Sequence, residues 1–327
     1  MPPELQDLDA ASVIGGIPVL GIAIALVGAV FLALGAQAQH RGVELVEDKH
    51  GNGEKAGLSL RQLLRLLGSP WWVLGTLLLG LAIVFQLTSL GFAPLIVVQP
   101  LGVVALVITT IVNTRVAKVH LNGAARRSIM FCVIGVAVFV TIAALVATEH
   151  PVAETQLIII LSLLGGVLVV LAGGFVLLRK RAGALFYILS AGVLYGFVAT
   201  LAKVVINRVG NLIAGVSSGG EWLTVACVVA LIAATALGGY FVQTAYSVGS
   251  PDLVVAGLTV VDPLIAVTIG ITVLGEASDA PWWAVLIWIP AAALAVFGVF
   301  QLERHHPQTH RLTAPSSGAA SQPHPGS

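Results

Sequence analysis

"VVDPLIAV", residues 260–267, places an acid beside a proline inside a stretch that is otherwise apolar. Asp262 is the only charged residue between positions 253 and 274. A charge in such a stretch is expensive, and a proline removes a helical hydrogen-bond donor. A near copy, "VVQPLGVV" at 97–104, lies 163 positions earlier with Gln99 in place of the acid. Why both halves of the chain interrupt an apolar run in this way is the question that decides the fold.

Composition sets the solvent. Of 327 residues, 57% are hydrophobic and 9% charged, whereas a soluble domain carries about 25% charged residues. The chain is therefore solvated mainly by lipid. A net charge of +1, with basic residues in loops, argues against nucleic acid as a partner. The two cysteines, Cys132 and Cys227, sit deep in apolar stretches and read as buried packing rather than a disulfide or a metal site. The abundance of Ala, Gly and Val, with Arg exceeding Lys, points to a high-GC bacterium, hence to its cytoplasmic membrane.

A helix needs about 20 residues to cross a bilayer. Nine stretches qualify: 13–36, 70–90, 93–114, 128–147, 156–178, 184–207, 222–246, 252–274 and 281–302. Basic residues then fall on one side. With the N-terminus outside, the inside loops 37–69, 115–127 and 179–183 hold five, four and three, and the tail adds Arg304 and Arg311. The outside keeps Arg208, with Lys203 just within the sixth span. The expected architecture is thus all-α and polytopic, N-terminus out and C-terminus in. Trp71, Trp72, Trp222, Trp282 and Trp283 at span starts suit the headgroup layer. Residues 1–12 read as an external tail. "LSLRQLLRLLGS" (58–69), with Arg61 and Arg65, reads as a short interfacial helix. Residues 303–327, rich in Pro, Ser and Gly, read as a disordered tail whose His305, His306 and His310 are simply solvated.

The octapeptides belong to a longer repeat. "FQLTSLGFAP" (85–94) precedes the first and "FVQTAYSVGSP" (241–251) the second, each pairing a glutamine, Gln86 or Gln243, with a Gly/Pro turn. Spans 1–4 (13–147) match spans 6–9 (184–302), with span 5 (156–178) joining them. One joining span inverts the second set, so the expected arrangement is a 4+1+4 inverted-topology repeat. Such folds place substrate sites near the midplane, where Asp262 falls. Pro100 and Pro263 would free the carbonyls of Ile96 and Thr259 as helix-break hinges. Asp262, Gln99, Gln86, Gln243 and Tyr195 are the candidate substrate-binding residues. Lys203 joins them, although its expected place in the last turn of span 6 also suits snorkelling to the headgroups. The small-residue run Gly21, Ala25, Ala29, Ala33 reads as close helix packing.

"LALGAQAQHRG", "FAPLIVVQPLGVVALVITTIVN" and "TVLGEAS" resemble the drug/metabolite transporter superfamily, most closely its NIPA-type, magnesium-transporter-like and EamA-like branch. The "FAP…PLG" motif with Pro94, the following apolar span and "HLN" (120–122) carry the likeness, as does Glu276 in "LGE". The resemblance implies a secondary transporter moving a small solute or cation, magnesium included, by alternating access. The chain departs from that branch at Val119, which precedes His120 where an acid is expected; Glu276 keeps the acid in the second half only. Export of a small organic metabolite or cationic drug therefore stands beside magnesium, and a membrane scaffold is the reading from another class. No catalytic or phosphate-binding motif is present, so neither an enzyme nor a cofactor is expected. The sequence leaves a homodimer open.

Overall fold

The computed structural model describes residues 18–50, 66–116, 123–178, 183–215 and 220–304. The external tail, most of the interfacial segment with Arg61 and Arg65, Val119, "HLN" and the tail histidines lie outside the described residues. Among the described residues, nine helices are long and apolar enough to cross a membrane.

The expected spans are recovered, and two of their ends shift markedly. The first helix, Val19–His50, runs well past the expected exit at residue 36. The sixth, Ala184–Ile213, continues six residues beyond 207. Asn207 and Arg208 look like a polar exit in the sequence, yet Arg208 is buried: its Nε donates to Thr224 Oγ1 at 2.7 Å and its Nη2 to the Gly220 carbonyl. The third span is interrupted, as expected. A single turn, Leu95–Val98, passes into a 3-10 turn at Gln99–Leu101 and then a helix at Gly102–Val116. The eighth span, Pro251–Thr272, corrects the expectation of a matching break, since its helix runs through Pro263. A proline in a membrane helix is tolerated where the freed carbonyl is buried in protein or lines a cavity, and Thr259 and Pro263 both border cavities here.

Helices in lipid gain little from burying apolar surface against one another, so close backbone approach carries the packing. Gly21, Gly28, Gly35 and Gly42 recur every seven residues on span 1; Gly28, Gly35 and Gly42 face span 2, and Gly21 faces Phe92 and Ala93 in the turn after it. A β-carbon on Gly42 would lie 2.6 Å from the Trp72 backbone nitrogen, and one on Gly35 would lie 3.0 Å from Leu79. Span 6 meets span 8 in the same manner, Gly192 against Val261 and Gly196 against Ile265. Spans 4 and 9 run antiparallel with reciprocal contacts, Gly135 on Ala291 and Ala295, Gly298 on Ser128 and Cys132.

Spans 1, 2 and 3 form one packed group and spans 6, 7 and 8 another. Span 4 touches span 3, span 9 touches span 8, and the broken span 3 lies against span 8. Span 5 contacts spans 6 and 7 more thinly, and its glycines at 165, 166 and 173 face open space. That difference is testable. Gly298→Val should lower stability by about 1–3 kcal/mol through overpacking, while Gly165→Val should be near neutral. Thermal unfolding in detergent followed by size-exclusion fluorescence reads both.

Candidate functional site

A cavity of about 400 Å³ lies between the two helix groups. Span 1 contributes Ala25, Gly28, Ala29 and Leu32; span 2 contributes Gln86 with Ala82 and Ile83; span 3 contributes Gln99 and Gly102. Span 6 adds Tyr195, and span 8 adds Thr259, Asp262 and Pro263. The wall is mostly small and apolar, with polar groups confined to a few points. That is the usual make-up of a small-molecule site.

Three of the polar side chains have a structural reason to be there. Gly192 lets the span 8 backbone at Val261–Asp262 press onto span 6, which fixes the depth of the acid. Gly238 on span 7 leaves room for the Tyr195 ring, whose Cε1 would sit 3.0 Å from a β-carbon at that position. Gln99 is buried in the 3-10 turn, where the departure from α-geometry re-aims the side chains around Pro100. Asp262 is half-buried as a residue, but its Oδ1 is sealed from solvent and has no hydrogen-bond partner. A buried unpartnered acceptor is costly, and the rest of the residue, half-buried, borders the cavity.

The structure brings five of the sequence-derived residues together: Asp262, Gln99, Gln86, Tyr195 and Pro263. Pro100 does not line this cavity. It shares with Pro263 a smaller, almost entirely apolar cavity of about 90 Å³, walled by Phe139, Val136, Ala292 and Ala295 of spans 4 and 9. Gln243 is exposed on the outer face of span 7 and borders neither cavity. Lys203 and Glu276 stand apart, in a cluster of their own.

That cluster forms where the connections after spans 2, 4 and 8 meet. Gly275, in the left-handed region at φ 72°, turns the chain so that the Glu276 N–H returns to the Gly270 carbonyl. The Glu276 carboxylate then accepts the amides of Leu95 at 2.8 Å and Ile96 at 2.9 Å, the first donors of span 3. Lys203 is buried rather than snorkelling. Its Nζ donates to the Ala93 carbonyl at 2.8 Å and to Glu149 Oε1 at 2.5 Å, with Glu276 Oε1 at 3.5 Å. The reason is position: with span 6 ending at Ile213, Lys203 lies ten residues from its end, about 15 Å along the axis. Burial pushes the Glu276 pKa up, and the Lys203 ammonium and the two amides pull against that. Thr148 N–H donates to the Glu276 carbonyl, and Gln156 Nε2 caps the span 8 carbonyls of Val273 and Leu274.

Glu149 was missed in the sequence, because a charge next to a loop carries no periodic signal. Glu276 stood out there only as part of a motif. The heptad of glycines on span 1 is legible in the sequence as a spacing of seven, beside the alanine run. Among the described residues, no group of three or more His, Cys, Asp or Glu side chains gathers to hold a metal ion.

The charged cluster makes a stability prediction. Lys203→Met leaves two carboxylates around an empty position and should destabilise the fold by about 3–5 kcal/mol. The double variant Lys203→Met/Glu276→Gln should recover at least half of that loss, a coupling measurable as a thermal double-mutant cycle.

No family model matches the chain, and no solved structure matches it. The chain is 27% identical over 270 residues to an uncharacterised protein of Corynebacterium glutamicum, a span covering 81% of this chain and 88% of that one. The likeness therefore runs through the membrane-spanning body rather than one loop.

Proposed function

We propose that the chain is a secondary transporter of the drug/metabolite transporter type, moving a small solute across the bacterial cytoplasmic membrane by alternating access. In this reading the two helix groups are inverted repeats, 4+1+4, with the N-terminus out and the C-terminus in. The packing supports it: span 1 with 2 and 3 parallels span 6 with 7 and 8, and the reciprocal glycine contacts of spans 4 and 9 are what a pseudo-twofold axis between them would give.

The observation that carries the proposal is Asp262 on the wall of a cavity of about 400 Å³, between helices of both groups. An intramembrane acid is a functional candidate by default. A scaffold protein has no use for such a cavity and would fill it with side chains. Net charge narrows the cargo. One carboxylate and no cationic side chain line the space, so a monovalent cation or a proton leaves it neutral. A divalent ion leaves it at +1 in a low-dielectric setting. Magnesium would also retain several waters and normally leans on one or two carboxylates plus other oxygens. The site therefore favours a small organic monocation, and hydrated magnesium is the second reading.

A thermal-shift screen of the purified protein against divalent cations, polyamines, amino acids and cationic dyes tests this. A monocationic ligand should stabilise the wild type, and Asp262→Asn should bind it at least about tenfold more weakly, a loss of about 1.4 kcal/mol. Flux of that ligand in proteoliposomes should vanish or uncouple in the same variant. Unchanged binding and flux in Asp262→Asn would remove the acid from the mechanism. Stabilisation by magnesium alone would reverse the choice of cargo.

A further inference from the structure

Spans 3 and 8 meet twice. At the cavity, Gln99 and Asp262 face the same space; at the end of the bundle, Glu276 holds the amides of Leu95 and Ile96. Between these two meetings lies only the single turn Leu95–Val98. All four of its residues are fully buried, 0% exposed. This turn is an apolar plug between the cavity and the end where the connections after spans 2, 4 and 8 gather. Four residues from Leu95 to Gln99 make its thickness about 6 Å.

We propose that Glu276, Lys203 and Glu149 form a latch that holds this plug shut, the gate of the cavity on the side we read as external. The inference rests on the transporter reading above. Three features distinguish a latch from a plain structural cap. The plug continues into a 3-10 turn rather than a full helix, so its hydrogen-bonding ties to the rest of span 3 are weak. The cluster is lopsided: two carboxylates share one ammonium, and that ammonium sits closer to Glu149 and the Ala93 carbonyl than to Glu276. Glu149 is also partly open, with 45% of its side chain exposed, so the lock has a solvent-facing handle.

The seat is tight as well. A β-carbon on Gly270 would lie 2.8 Å from Glu276 Oε2 and 3.3 Å from Leu95 Cβ. Span 8 can bring its end against the plug only because position 270 has no side chain. Movement of span 8 then acts on both meetings, shifting Asp262 and releasing the amides of span 3. Lys203, held on span 6, supplies the charge that lets Glu276 stay buried while the gate is closed.

Accessibility tests the gate without a known substrate. In a Cys132→Ala/Cys227→Ala background, Ala29→Cys places one thiol on the cavity wall, and Ala234→Cys places one in buried packing of span 7 as a control. A membrane-impermeant maleimide is added to each face of sealed vesicles in turn. With the latch intact, Ala29→Cys should label slowly from the external face. In Lys203→Met/Glu276→Gln, and separately in Gly270→Ala, it should label at least about tenfold faster, the change expected when the open population rises by that factor, with Ala234→Cys unchanged. Fast labelling with the latch intact, equal rates in all variants, or a parallel rise at Ala234→Cys would each overturn the proposal. If the transporter reading alone is wrong, these rates still change while Asp262→Asn alters no ligand response.

Discussion

A helix that begins inside a membrane protein leaves its first amides without water to satisfy them. Span 3 begins in that way, directly after Pro94, and a carboxylate from residue 276 takes its first two amides. The rest of the architecture follows from that contact. It ties the end of span 8 to the start of span 3, brings Lys203 of span 6 into the same cluster, and draws in Glu149 after span 4. Four parts of the chain that are distant in sequence are thereby held together at one end of the bundle.

The walls of that cavity depend on a second constraint, the distance between backbones. Span 6 approaches span 8 through Gly192 and Gly196, which puts Asp262 at its depth, while Gly238 makes room for Tyr195. Span 1 reaches span 2 through Gly28, Gly35 and Gly42, and Gly28 itself lies on the cavity wall. Small residues thus do two jobs. They bring helices together where the bundle must be tight, and they leave space where the polar groups converge. The apolar cavity at Pro100 and Pro263 belongs to the same economy of shape, separating the polar cavity from the tightly crossed pair of spans 4 and 9.

Much of this is legible in the chain because lipid imposes simple rules. Length and hydropathy mark nine spans, and the misfit of Asp262 in its apolar run marks the site. Gln99 follows from the second copy of the octapeptide, although only one of the two prolines interrupts its helix. Single-sequence reading fails where a polar residue has a distant partner. Arg208 looked like an exit and is buried against Thr224; Lys203 looked like a snorkelling residue and is an internal counter-charge. Gln243 sits in a sequence pattern like that around Gln86, yet faces outward, because the face a residue presents depends on helix rotation that no local pattern records.

The cap on span 3 also has a meaning for biogenesis. Its donor amides are at residues 95 and 96, while the acceptor is 181 positions from the first of them. A ribosome delivers the third span to the insertion machinery long before it delivers the acid. Until the eighth span has entered the bilayer, the exposed start of the third must borrow partners from water, lipid headgroups or the translocon wall. The cap on the third span is accordingly complete only once residue 276 has been synthesised.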